Sequence, residues 1–133
     1  MSGLVVGLRG EARLVVAEGD TASRYGSGLV AAFATPALVA LMEKASVAAT
    51  HDYLEPWETS VGVQVDVKHL APTPVGMSVV AKAELIEVDG RRLRFKIDAW
   101  DDLEKIGEGA HLRARINRTH FNERLNKKSG TKC

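Results

Sequence analysis

Every second residue from Val61 to Val67 is a valine, with Gly62, Gln64, Asp66 and Lys68 between them or directly following. Period-two alternation of this kind predicts a half-buried strand with the valines inward. Pro72 and Pro74 end it. The next run, 77–85, places Val79, Ala81, Ala83 and Leu85 on one side, with Ser78, Lys82 and Glu84 opposite. Asp89-Gly90 is a hairpin signal suited to a type I′ turn. Beyond it Leu93, Phe95, Ile97 and Ala99 alternate inward against Arg92, Arg94, Lys96 and Asp98. A final strand over 106–117 is read with Ala110, Leu112, Ala114 and Ile116 inward, which leaves His111 and Arg113 on the polar side. The tail from about Asn122 is polar and is expected to fray.

Ahead of these strands the pattern changes. Residues 11–18 read as a short first strand that Gly19-Asp20 stops, and a connection containing Gly and Ser follows. Residues 35 to about 53 give the one long helical signal. Thr35 suits an N-cap, and Pro36 costs nothing at the first helical position because its N–H would be unpaired anyway. From Ala37 to Ala49 the helix is apolar almost all round, which predicts burial on most sides. One strand, a buried helix, then four antiparallel strands make an α+β fold in a single domain over residues 1–133. A curved antiparallel β-sheet wrapped round one long central helix is the hotdog arrangement.

Composition narrows the function. Eighteen Lys and Arg against 17 Asp and Glu leave a net charge of +1 over 133 residues, which argues against a nucleic-acid module. Hydrophobic residues at 45% and charged residues at 26% are those of a folded domain. The one cysteine, Cys133, can form neither an intramolecular disulfide nor a thiolate metal cluster. The histidines lack metal-ligand spacing, and the short Gly26-Ser27-Gly28 is no phosphate loop. Neither a bilayer-spanning stretch nor a leader peptide is visible, so a cytoplasmic protein without membrane partners is expected.

Three residues sit oddly for a purely structural role. Glu43 lies mid-helix among Leu41, Met42, Ala45 and Val47; it is either a residue at a solvent or dimer margin or an acid/base whose environment tunes it. His69 continues the odd-numbered row of the valine strand, as a satisfied core histidine or as a proton carrier. Thr35 is either a simple cap or a hydroxyl placed where the helix dipole favours developing negative charge. For His111 and Arg113 the choice is between a solvated face and a phosphate contact.

The stretch from Phe33 to Ala45 resembles the helix of the fluoroacetyl-CoA thioesterase-like family. So do Tyr53-Leu54-Glu55-Pro56, Gly62 with His69 seven residues on, Pro74-Val75-Gly76, Gly90 to Leu93, and Ile106 to Arg113. The resemblance covers about 12–125. It implies a hotdog homodimer, or a higher oligomer, that hydrolyses a small acyl-CoA without metal or cofactor at a site on the subunit interface. It also implies Thr35, Glu43 and His69 as the catalytic set and Gly62 beside the acyl group. Phe33 and Leu29 are expected to flank the acyl group, and Arg113 with His111 to contact CoA. The fluoroacetyl-specific enzyme carries lid phenylalanines where this chain has Gly26 and Leu29, so a different acyl group is expected.

Thioester hydrolysis needs a nucleophile, a proton carrier and oxyanion donors. His69 suits proton transfer. Glu43 is either the base or the group that orients His69, and Thr35 either attacks or positions water. Backbone amides at the helix start or at Gly62 would hold the oxyanion. Eight residues separate Thr35 from Glu43, roughly 12 Å along a helix. The two cannot touch within one chain, which points to a site built across subunits or bridged by substrate and water. The rival reading is a non-catalytic module that binds acyl-CoA or another small ligand. A hydratase on the same fold is a second rival, but its Asp and His on a different segment are missing.

Overall fold

The computed structural model describes residues 3–130. The elements are β1 (Arg9–Val15), a short helix α1 (Ala22–Tyr25), the long helix α2 (Thr35–Thr50), then β2 (Glu58–His69), β3 (Ser78–Asp89), β4 (Arg92–Asp101), β5 (Lys105–Asn117) and a last helix α3 (Arg118–Ser129). All five strands form one antiparallel sheet in the order β1-β3-β4-β5-β2, curled round α2. The α+β hotdog architecture expected from the sequence is the observed one. Cys133 lies outside the described residues.

The core is where the periodicity places it. Val79, Ala81, Ala83 and Leu85 on β3 and Leu93, Phe95, Ile97 and Ala99 on β4 are buried against Leu38, Leu41, Met42, Ala45 and Ala49 of α2. Each large aliphatic side chain among them contributes about 1.5–3 kcal/mol on leaving water. Ser46 and Thr50 share that buried face, and each donates its hydroxyl to the carbonyl four residues back, so neither is left unpaired. β1 reaches the helix through Gly10, where an added Cβ would lie 2.3 Å from Ala49 N and 2.5 Å from Ala45 O. That contact is between backbones.

Several expectations are corrected. β1 begins and ends earlier than read, and α2 gives way to a 3-10 turn over His51–Tyr53. Ala34, not Thr35, is the N-cap of α2, which frees the Thr35 hydroxyl for another partner. The helix is buried on one side only: Pro36, Lys44, Val47 and Ala48 are exposed in the single chain. The hairpin loop is Gly90-Arg91, with Asp89 paired to Arg92, and positive φ falls on Gly90 alone. That is the arrangement of a type II′ turn, not type I′. The polar tail folds as α3, its first turn closed by the Asn117 side chain accepting from His120 N and its end by Gly130 in the left-handed region.

The largest correction concerns which face β2 and β5 present. The register of β2 on β5 shifts between Gly62 and Gln64, so Val63 is a bulge residue and parity changes there. Ser60 and Gly62 before the bulge, and Val65, Val67 and His69 after it, share the helix side, whereas Val61 and Val63 do not. Val63 is exposed. On β5, His111 lies opposite the core residue Phe95, so the odd residues Gly107, His111 and Arg113 face α2. Ala110, read as inward, is exposed on the other side, the side that buried Leu112 and half-buried Ala114 also take. At Gly107 the helix packs close: Leu38 Cδ2 and Met42 Cε lie 2.9 and 3.2 Å from where a Cβ would be.

Gly10→Ala drives a methyl into backbone that cannot yield. The expected loss is about 3 kcal/mol, a fall of roughly 10 °C in Tm by calorimetry.

Candidate active site

The two ends of β2 each carry a polar constellation on the helix side. At the C-terminal end, His69 Nδ1 lies 2.8 Å from Thr35 Oγ1 in the first turn of α2. Phe33, buried just before the helix, meets the His69 ring edge-on with centroids 6.4 Å apart. Burial lowers the His69 pKa below its usual value, so the ring is neutral at pH 7 and able to accept a proton. His69 Nε2 is buried and has no hydrogen-bond partner among the described residues. An open cavity of about 380 Å3 begins at this pair, walled by Val30, Ala32, Phe33, Leu70 and Pro72. Its lining is mostly apolar, with Ser27, Thr35 and His69 the polar side chains, a shape suited to an acyl chain presenting its carbonyl to Thr35 and His69.

At the other end, Gly62 lies under Glu43. An added Cβ there would sit 2.7 Å from Glu43 Oε2, 3.4 Å from His111 Cε1 and 3.7 Å from Arg113 Nη1. The Glu43 carboxylate is 3.7 Å from Arg113 Nη1 and 3.9 Å from His111 Nε2, and 40% of its side chain is exposed. A carboxylate half open to solvent and facing a buried guanidinium is available for proton transfer without the cost of an unpaired buried charge. Arg113 donates from Nε to Ser60 Oγ and from Nη2 to Ser60 O, at 2.8 and 3.0 Å.

The structure therefore brings Thr35, His69 and Phe33 together, and separately Glu43, Gly62, Arg113 and His111. It does not join the two groups within one chain, because α2 runs unbroken between Thr35 and Glu43. His111 and Arg113, read as a solvated face or a phosphate contact, are 3% and 6% exposed and point at Glu43. Leu29, expected beside the acyl group, is 99% exposed and does not line the cavity; Val30 does. Ser60 was missed because nothing in its neighbourhood marks it. The bulge three residues on, which no sequence pattern announces, turns its side of β2 toward Arg113. A recess of about 450 Å3 on the far side of the sheet is lined by Asp98, Lys105 and Glu108, which pair with one another, and stands apart from this chemistry.

Among the described residues no group of three His, Cys, Asp or Glu side chains is arranged to hold a metal, and no helix is long and apolar enough to cross a membrane.

Acidification acts on both buried histidines. His69 and His111 each have a pKa lowered chiefly by burial, so below about pH 6.5 the unfolded chain binds more protons than the folded one. Stability is therefore full above that value and falls as pH drops through it. The carboxylates with lowered pKa, Glu58 and Asp101, add their loss only at lower pH. Tm is expected to decline between pH 7 and pH 5.5, and the decline to shrink in His69→Gln. A flat profile would contradict the burial.

Comparison with known proteins identifies the family. A profile of the fluoroacetyl-CoA-specific thioesterase family, FlK, matches residues 16–119. The fluoroacetyl-CoA thioesterase of Streptantibioticus cattleyicolor is 45% identical over 97 residues, 73% of this chain and 70% of that protein. A solved structure of fluoroacetyl-CoA thioesterase FlK superposes with a TM-score of 0.88 at 39% identity, covering 95% of this chain and 98% of the other. A thioesterase superfamily member from Thermus thermophilus, 24% identical, shares the fold with a TM-score of 0.91 over 98% of this chain and 96% of its own. The chain belongs to the fluoroacetyl-CoA-specific thioesterase family and is a thioester hydrolase of hotdog fold.

Proposed function

We propose that this thioester hydrolase cleaves a small acyl-CoA to the free acid and CoA. Its site would join Thr35 and His69 of one chain to Glu43 and Gly62 of a second copy. The observation that carries the reading is the hydrogen bond of 2.8 Å between Thr35 Oγ1 and His69 Nδ1, at the mouth of an apolar cavity. With Nδ1 accepting from the hydroxyl, Nε2 must carry the ring's proton, and that buried N–H calls for an acceptor. A carboxylate is the fitting one, and Glu43 is the half-open carboxylate on the same face of β2.

In this scheme His69 takes a proton from Thr35, or from a water that Thr35 holds, as the oxygen attacks the thioester carbonyl. Glu43 stabilises the imidazolium that forms. The first turn of α2 offers its dipole to the oxyanion. His69 then returns the proton to the departing CoA sulfur. If the threonine itself attacks, water resolves the ester by the same proton path. All of this proceeds without a metal or added cofactor, CoA being part of the substrate.

Two features support the second copy. β2 is an edge strand of 12 residues, with Val63 and Val65 exposed at 59% and 42%, and long apolar edges invite pairing. Beside it the bare side of α2 carries Val47 and Ala48. A homodimer joined along β2 would cover both.

The acyl group is expected to be larger than fluoroacetyl. Gly26 and Leu29 leave the cavity mouth without aromatic cover, and Leu29 points to solvent. Free-thiol release from a panel of acyl-CoAs tests the reading. Turnover is expected on short acyl esters and should fall by about a hundredfold or more in Glu43→Ala and His69→Ala, with the dimer intact by sedimentation. Saturable binding without turnover on every ester would favour a ligand-binding module.

A further inference from the structure

Both ring nitrogens of His111 are committed. Nδ1 lies 2.8 Å from Gln64 O; a carbonyl can only accept, so Nδ1 carries the hydrogen. Nε2 lies 3.1 Å from Arg113 Nη1; a guanidinium can only donate, so Nε2 presents its lone pair. A second ring proton would set one N–H against another. The ring is packed beside Phe95, centroids 6.2 Å apart, and its partner carbonyl belongs to the residue that follows the bulge of β2, where the ladder is interrupted.

Arg113 is thereby held at three points, by Ser60 Oγ, Ser60 O and His111 Nε2. This fork leaves Nη1 directed at Glu43 Oε2, 3.7 Å away. That distance is too long for a direct hydrogen bond, so the guanidinium acts on the carboxylate through its charge. The direction of that charge depends on what fixes the guanidinium plane, and at Nη1 the fixing group is His111. We propose that His111 is a positioning residue: through its Nε2 lone pair it holds Arg113 so that the guanidinium orients the Glu43 carboxylate. Neither His111 nor Arg113 is then a CoA contact. The proposal rests on the reading of Glu43 as part of the catalytic set.

Two substitutions separate this role from a packing role. His111→Phe keeps the ring volume and removes the acceptor, whereas His111→Gln returns an acceptor oxygen near the position of Nε2. In His111→Phe kcat is expected to fall roughly tenfold to a hundredfold, because a misaimed catalytic group costs that much, while KM stays within about twofold. His111→Gln should recover most of the loss. A raised KM with kcat retained would overturn the proposal by making this pair a substrate contact. Equal loss in both variants, or no loss in either, would overturn it as well.

The wild-type protein gives a readout independent of turnover. In 15N-labelled protein near pH 7.5, the His111 resonances, assigned by their absence from His111→Gln, should show a protonated Nδ1 and an unprotonated Nε2. The opposite tautomer would overturn the proposal whether or not His111→Phe folds. If the wild type hydrolyses no acyl-CoA, the catalytic reading of Glu43 fails and the positioning role fails with it. An Nδ1–H tautomer in that case would show that the clamp itself had been read correctly.

Discussion

Glu43 lies against the sheet in the space that position 62, having no side chain, leaves open. The Cβ of any other residue would come within 2.7 Å of the carboxylate oxygen. The carboxylate would have to swing outward, away from Arg113. The same strand must also carry His69 on the same face, seven residues on, an odd separation that regular alternation would send to the opposite side. The bulge at Val63 removes the conflict by shifting parity once. One missing side chain and one extra residue therefore set the polar layout between β2 and α2.

That layout explains why part of the chain was legible in its sequence and part was not. β3, β4 and α2 form the packed core, and their pattern of apolar residues states their faces directly. Val79 to Leu85 and Leu93 to Ala99 were read correctly because packing alone decides them. β5 inverts the rule. Its helix side carries Gly107, His111 and Arg113, and its outer side carries Ala110, Leu112 and Ala114, so a reading by hydropathy turns the strand over. The inner row is polar or bare because Leu38 and Met42 fill the space at one end and the Glu43 constellation fills it at the other. Local rules fail where a site occupies the surface they describe.

In the candidate site, Thr35, Glu43, Gly62 and His69 are legible in the sequence, as are Phe33, His111 and Arg113. Their pairings are not. Of the two readings of Thr35, the cap fails, because Ala34 occupies that position and the hydroxyl turns to His69. Arg113 and His111 alternate with apolar residues and so read as a solvated face or a phosphate contact, whereas both are buried against Glu43. The resemblance puts Leu29 beside the acyl group; in the single chain it is exposed, and Val30 stands on the cavity wall. Resemblance singled out the candidate residues, and only the register of β2 on β5 shows which side chains stand against them.

The central claim is that Thr35 and His69 work with Glu43 of another copy. Mixing inactive Glu43→Ala and His69→Ala proteins under conditions that exchange subunits tests it most directly. In each mixed dimer one site would carry both lesions and the other neither. A 1:1 mixture should therefore recover about a quarter of wild-type activity, half the dimers being mixed and half of their sites intact. A mixture no more active than either variant alone, with exchange verified, would contradict a site shared between subunits.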